Sequence, residues 1–188
     1  MSTKLLLLLV FALTGLGCAV ETTHSPVGTS RVVDAKAPFT LAIVPSTSSP
    51  DARGITVAEK LPHEFYVVLT NVSTEAQPVW QYWNSWGYQT LSFEFTMADG
   101  QKIVVSKREQ YFTRNFPSTF LIPPSEHQVY PIRLDKDWDI GSKLSKVAET
   151  TATVKAIYEV FTTPESQQYK VWTGRVESAG YMFTLRQW

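Results

Sequence analysis

Residues 91 to 106, LSFEFTMADGQKIVVS, alternate apolar and polar side chains and then pass through an Asp-Gly pair. Leu91, Phe93, Phe95 and Met97 share one face and Ser92, Glu94 and Thr96 the other, a period of two that only an extended strand turns into one apolar and one polar surface. Asp99-Gly100 tolerates positive φ, so a tight hairpin into a second strand, Lys102 to Ser106, is expected. A strand of this kind leaves its apolar face uncovered until a second layer packs on it.

The same reading predicts strands at Phe39–Val44, Glu64–Val72, Gln128–Leu134, Thr151–Val160 and Tyr181–Gln187. In the last three, Tyr130/Ile132/Leu134, Ala152/Val154/Ala156/Tyr158/Val160 and Tyr181/Phe183/Leu185 point inward. Only Ile140 to Glu149 has a helical pattern, and a weak one. Seven short strands bounded by Pro, Gly, Asn and Ser predict an all-β domain over residues 37–188, an immunoglobulin-like antiparallel β-sandwich. The aromatic share of 13% supplies bulky material for its core.

Ahead of that domain stands MSTKLLLLLVFALTGLGC, with one Lys, an apolar run and small residues before a cysteine, the build of an export signal over residues 1–17. The uncharged run Leu5 to Val20 covers 16 residues, short of the roughly 18 to 20 that span a bilayer. Thr14-Gly15-Leu16-Gly17 before Cys18 resembles the lipobox of bacterial lipoproteins, with Leu two positions before the cysteine instead of three. The resemblance implies that Cys18, the only cysteine, carries lipid. Residues 19 to 36, AVETTHSPVGTSRVVDAK, have no period and read as a flexible tether. A membrane-anchored place in the cell envelope follows, at the outer membrane in a two-membrane bacterium because Ala19 is not the Asp that retains lipoproteins at the inner one. Without Lys4 the chain holds 16 basic and 17 acidic residues, a balance that argues against nucleic acid as partner.

Along FYVVLTNVSTEAQPVW, YQTLSFEFTMADGQKIVV and FLIPPSEHQVYPIRL, the chain resembles the bacterial intracellular proteinase inhibitor family. The likeness rests on a strand ending in Asn71-x-Ser73, an aromatic strand running into Asp99-Gly100, and a Pro-Ser-Glu turn at Pro124 to Glu126. It implies an immunoglobulin-like sandwich and, as one function, inhibition of a protease through an inter-strand loop. The Gly-Tyr of that family's later strand is absent from ATVKAIYEV, and this chain carries an export signal.

WQYWNSWGY, residues 80 to 88, concentrates Trp80, Tyr82, Trp83, Trp86 and Tyr88, the candidate ligand-binding residues. If Val79 to Trp83 is a strand, Trp80 and Tyr82 share a face that Trp83 does not, so the five rings cannot all enter one core. Asn84, Ser85 and Gly87 are turn formers that place Trp86 near a loop, where its ring either closes the core or offers a stacking platform to a sugar or peptide. KREQYFTRNF, residues 107 to 116, interleaves Lys107, Arg108 and Arg114 with Tyr111, Phe112 and Phe116, either as a cover for a sheet edge or as a contact for an acidic partner or membrane surface.

Catalytic chemistry has no announced residues: the chain has no GxSxG elbow, phosphate-binding glycine loop or CxxC. His24, His63 and His127 occur in no zinc-ligand spacing. Asp135, Asp137 and Asp139 alternate as in a Ca²⁺ loop, but Ile140 and Lys146 stand where that loop needs Gly and Glu, so a solvated acidic turn is expected, with no metal and no cofactor. Asn71-Val72-Ser73 fits a glycosylation acceptor and, more simply, a turn at a strand end. The expectation for function is binding or scaffolding by an anchored lipoprotein without catalysis. The alternatives are protease inhibition and a carbohydrate- or peptide-binding module using Trp83, Trp86 and Tyr88.

Overall fold

A computed structural model describes residues 37–46, 54–58, 64–144 and 149–186. The leader, Cys18, the tether, His24, His63, Gln187 and residues 145–148 of the expected Ile140–Glu149 helix lie outside the described residues. In chain order the strands are β1 (Phe39–Pro45), β2 (Ile55–Ala58), β3 (Phe65–Asn71), β4 (Gln77–Trp80), β5 (Leu91–Met97) and β6 (Lys102–Ser106). They continue with β7 (Thr119–Ile122), β8 (His127–Ile132), β9 (Thr150–Val160), β10 (Gly174–Glu177) and β11 (Tyr181–Arg186). Three short helices intervene, α1 (Ser85–Tyr88), α2 (Ile140–Leu144) and α3 (Pro164–Gln168). Among the described residues no helix is long and apolar enough to cross a membrane.

The alternating segments become two facing sheets. One has the order β1-β3-β8; the other runs β2-β11-β9-β5-β6, with β10 also on β9. The first, third and eighth strands thus oppose β5, β9 and β11, with β6 added beside β5, the strand partition of an immunoglobulin-like sandwich. Phe65 from the first sheet meets Phe93 and Phe183 from the second at ring separations of 5.6 and 5.2 Å, and all three are fully buried. Edge-to-face packing of this kind contributes about 0.5 to 1.5 kcal/mol per pair beyond the area buried. The Asp99-Gly100 hairpin is present, with Gly100 at φ 84° and its N–H donating to the Met97 carbonyl at 2.9 Å.

All seven expected strands form, and the faces expected to point inward do so, except that Met97 and Tyr181 are only partly buried. The count rises to eleven among the described residues because β2, β4, β7 and β10 each span four residues, too few for a period to show. The antiparallel expectation needs one amendment: β2 pairs with β11 in parallel, Phe183 opposite Ile55. The supposed strand Val79–Trp83 ends at Trp80, where the chain turns into α1.

One edge of β9 is shared. β11 pairs with residues 150–154 and β10 with residues 157–160. Between them Ser178 replaces a ladder rung, its N–H donating to the Ala156 carbonyl and its hydroxyl accepting the Ala156 N–H, both at 2.9 Å. The side chain satisfies a buried amide that the kink at 178–180 would otherwise orphan.

Candidate functional site

The five candidate rings part company at the end of β4. Trp80 lies opposite Thr119 of β7, is 3% exposed, and packs against Trp86 and Tyr169 at 6.0 and 5.5 Å. Trp80 and the half-buried Trp86 therefore belong to the core and its rim. Past Trp80 the chain reverses. Asn84, fully buried, accepts the Gly87 N–H at 2.9 Å through Oδ1 and donates through Nδ2 to the Ser118 carbonyl at 3.1 Å. A Cβ on Gly87 would stand 2.1 Å from the Gln81 carbonyl oxygen, so only glycine lets the helix start pack back on the strand end. This pinned turn holds Tyr82 and Trp83 outward, 56% and 43% exposed, and leaves Tyr88 half-buried.

The basic and aromatic segment 107–116 lies alongside. Ser85 and Asn115 are joined twice, Ser85 N–H to Asn115 Oδ1 at 3.1 Å and Asn115 Nδ2 to Ser85 Oγ at 2.8 Å. Trp83 meets Phe116 edge-to-face at 5.3 Å, and Tyr88 meets Phe112 at 5.5 Å. Phe116 is 57% exposed and Tyr111 90%. Two stretches that the sequence leaves unrelated thus form one ring-bearing surface. Its root is fixed by backbone: Lys107 bridges to Trp138, and the Arg108 N–H and Nε donate to the Asp137 and Trp138 carbonyls at 2.8 and 2.9 Å.

Beside this surface a cleft of about 220 Å³ opens between Tyr82, Tyr88, Leu91, Lys107 and the edge strand β8. The Lys107 ammonium sits 4.3 Å from the Tyr88 ring centre and 5.7 Å from that of Trp138. Burial pulls Lys107 below its ordinary pKa, against the opposing pull of Asp137 and Asp135. Burial, helped by the same two carboxylates, pushes the Tyr88 hydroxyl up. At the cleft floor Tyr130 is also raised by burial, so it stays neutral. Behind it the Tyr158 hydroxyl is fully buried, and burial, with Tyr130 beside it, raises its pKa well above the ordinary value.

The other singled-out residues are engaged locally. Asp135 Oδ1 accepts the Asp137 N–H at 3.0 Å and Asp139 Oδ1 the Ser106 N–H at 2.7 Å, while Asp139 pairs with Lys143. His127 is exposed on β8. Among the described residues no three His, Cys, Asp or Glu side chains gather as metal ligands. Sequence reasoning missed Trp138, which sits inside an acidic string yet is 3% exposed and packs on Phe93 at 5.1 Å. It also read Tyr130 and Ile132 as core alone, although both line the cleft. Compared with known proteins, the chain matches no family model and no curated protein sequence.

Proposed function

We propose that this chain is an anchored binding protein of the bacterial cell envelope. Its sandwich, held by a lipidated Cys18 and the tether, recognises a peptide or glycan partner through the rings of residues 82–88 and 111–116. The supporting observation is the Trp83–Phe116 pair, two large rings in contact with each other and both left substantially in water. The same chain buries Trp80 and Trp138 almost completely, and exposed apolar surface that has not been packed away marks contact sites. The turn beneath the rings is rigid, held through Asn84, Gly87, Ser85 and Asn115. Preorganised aromatic side chains lose little freedom on binding, which suits them to recognition.

Two measurements test the proposal. A Cys18→Ser chain is expected to leave the membrane fraction, and unchanged partitioning would remove the anchor. The released protein titrated with glycan and peptide panels is expected to change its tryptophan emission, with the response lost in Trp83→Ala. A flat response across both panels would remove the recognition reading.

A further inference from the structure

Among the described residues, Lys107 is a cation whose surroundings poorly match its charge. It leaves the edge strand β6 and is held by the backbone bridge to Trp138, so its stem is committed to the cleft rather than to open water. None of the ion pairs formed among the described residues includes it, whereas Lys102, Lys143 and Lys155 each have a carboxylate partner. The Tyr88 and Trp138 faces stabilise a cation but accept few of the three hydrogen bonds an ammonium can donate. Asp135 turns one carboxylate oxygen to the Asp137 N–H. A partly buried cation thus faces an apolar cleft with Asp137 and Asp135 nearby but no carboxylate at ion-pair distance among the described residues.

The cleft's other properties narrow what would complete it. Leu91, Ile132, Tyr82 and Tyr88 give it apolar and aromatic walls. A volume of about 220 Å³ equals about seven waters at liquid density, which suits a ligand of about ten non-hydrogen atoms. One ammonium with two acidic neighbours favours a singly charged anion over a phosphate dianion. The β8 edge along the cleft is poorly suited to adding a peptide strand: the Val129 carbonyl already accepts from Gln128 Nε2 at 2.9 Å, and Pro131 offers no N–H.

We infer that this cleft binds a small free monocarboxylate with an apolar ring or chain, its carboxylate on the Lys107 ammonium and its apolar body between Tyr82, Tyr88, Leu91 and Ile132. This rests on reading the domain as a binding module and adds a ligand class to it.

Calorimetric titration of the whole exported chain carrying Cys18→Ser, with phenylacetate as probe, tests the inference. Saturable binding at one site per chain is expected, with the neutral isostere phenylacetamide about tenfold weaker or more, because a charge-assisted hydrogen bond is lost. Lys107→Met is expected to remove that same factor for the acid and leave the amide unchanged, while Lys107→Arg keeps the preference. Equal affinity for acid and amide, an unaltered preference in Lys107→Met, or displacement of phenylacetate by equimolar inorganic phosphate would each overturn it. If phenylacetate does not bind while peptide or glycan still alters Trp83 emission, only this inference falls. Silence in both experiments retires the binding reading as well.

Discussion

The side-chain amide of Asn71 donates to the Ile122 carbonyl at 2.8 Å, across 51 residues of chain. The same nitrogen donates to the Glu75 carbonyl at 2.7 Å, and Oδ1 accepts from the Ser73 N–H and hydroxyl at 2.9 and 2.7 Å. Its backbone is engaged too, the N–H donating to Glu126 and the carbonyl accepting from Ser125. One fully buried residue thus locks the end of β3 to β7 and to the turn before β8, and brings Asn71-x-Ser73 against Pro-Ser-Glu in space. Asn71→Ala removes every side-chain bond and leaves the Ile122 carbonyl buried without its donor. A loss of about 2 to 4 kcal/mol in urea unfolding is expected, and a change within about 0.5 kcal/mol would show that the knot adds nothing.

Two backbone positions carry opposite predictions. Gly100 holds φ 84° in the β5–β6 hairpin with open space around it, so Gly100→Ala meets no clash but takes up left-handed strain. A destabilisation of about 1 kcal/mol is expected. Ser125 already sits at φ 65°, so Ser125→Gly relieves strain and is expected to gain a few tenths to about 1 kcal/mol, less the extra entropy of the unfolded chain. Thermal unfolding of the two variants should shift in opposite directions.

The strands that alternate over five or more residues were legible because burial on one face forces the period, as in Leu91–Met97 and Thr150–Val160. β7 was not, and β4 only at Val79 and Trp80 of the supposed strand Val79–Trp83, since four residues hold two per face. The turn at 84–87 was legible in outline: Asn84 and Gly87 were visible as turn formers. Their effect, sending Trp80 inward and Trp83 outward, needs the Ser118 carbonyl 34 residues away. The meeting of segments 82–88 and 107–116 depends on the Ser85–Asn115 pair, two ordinary polar residues 30 positions apart. Lys107 reads as one of three cations beside Arg108 and Arg114, and a sequence cannot say which of them the fold will strip of water.

Arg175 sits between Glu177 at 2.9 Å and Glu159 at 3.3 Å, with Lys155 also on Glu177. The hydrogen bond from Arg175, then its charge and those of Lys155, hold the Glu177 carboxyl below its ordinary pKa despite some burial. A carboxylate depressed in the folded state binds fewer protons than in the unfolded chain. Its stabilisation is therefore complete above the ordinary carboxylate value and fades as pH falls through the lower folded one. These side chains are 33–43% exposed, so solvent screens the pairs and Glu177→Gln is expected to cost under about 1 kcal/mol at pH 7. The difference from the parent should shrink toward zero as pH falls through and below the lowered carboxylate value, and in 1 M salt. A difference that persisted in acid would assign the effect to shape instead of charge.

Trp80 and Trp83 lie three positions apart and should respond oppositely to removal. Trp80, 3% exposed among Trp86 and Tyr169, fills core volume, and Trp80→Ala should cost about 3 to 5 kcal/mol through cavity and lost transfer energy. Trp83 touches Phe116 in the open, so Trp83→Ala and Phe116→Ala should each cost under about 1 kcal/mol, the value of one edge-to-face pair and a little area. Their binding effects should reverse that order. Central aromatic anchors at interfaces contribute about 2 kcal/mol or more when truncated, so each surface variant should weaken a peptide or glycan ligand at least about tenfold while unfolding near the parent temperature. If both variants keep full affinity for a ligand that the parent binds, the exposed pair is not the contact surface. If Trp83→Ala instead unfolds the domain, the pair is a structural cap, and its exposure reflects the rim of the core.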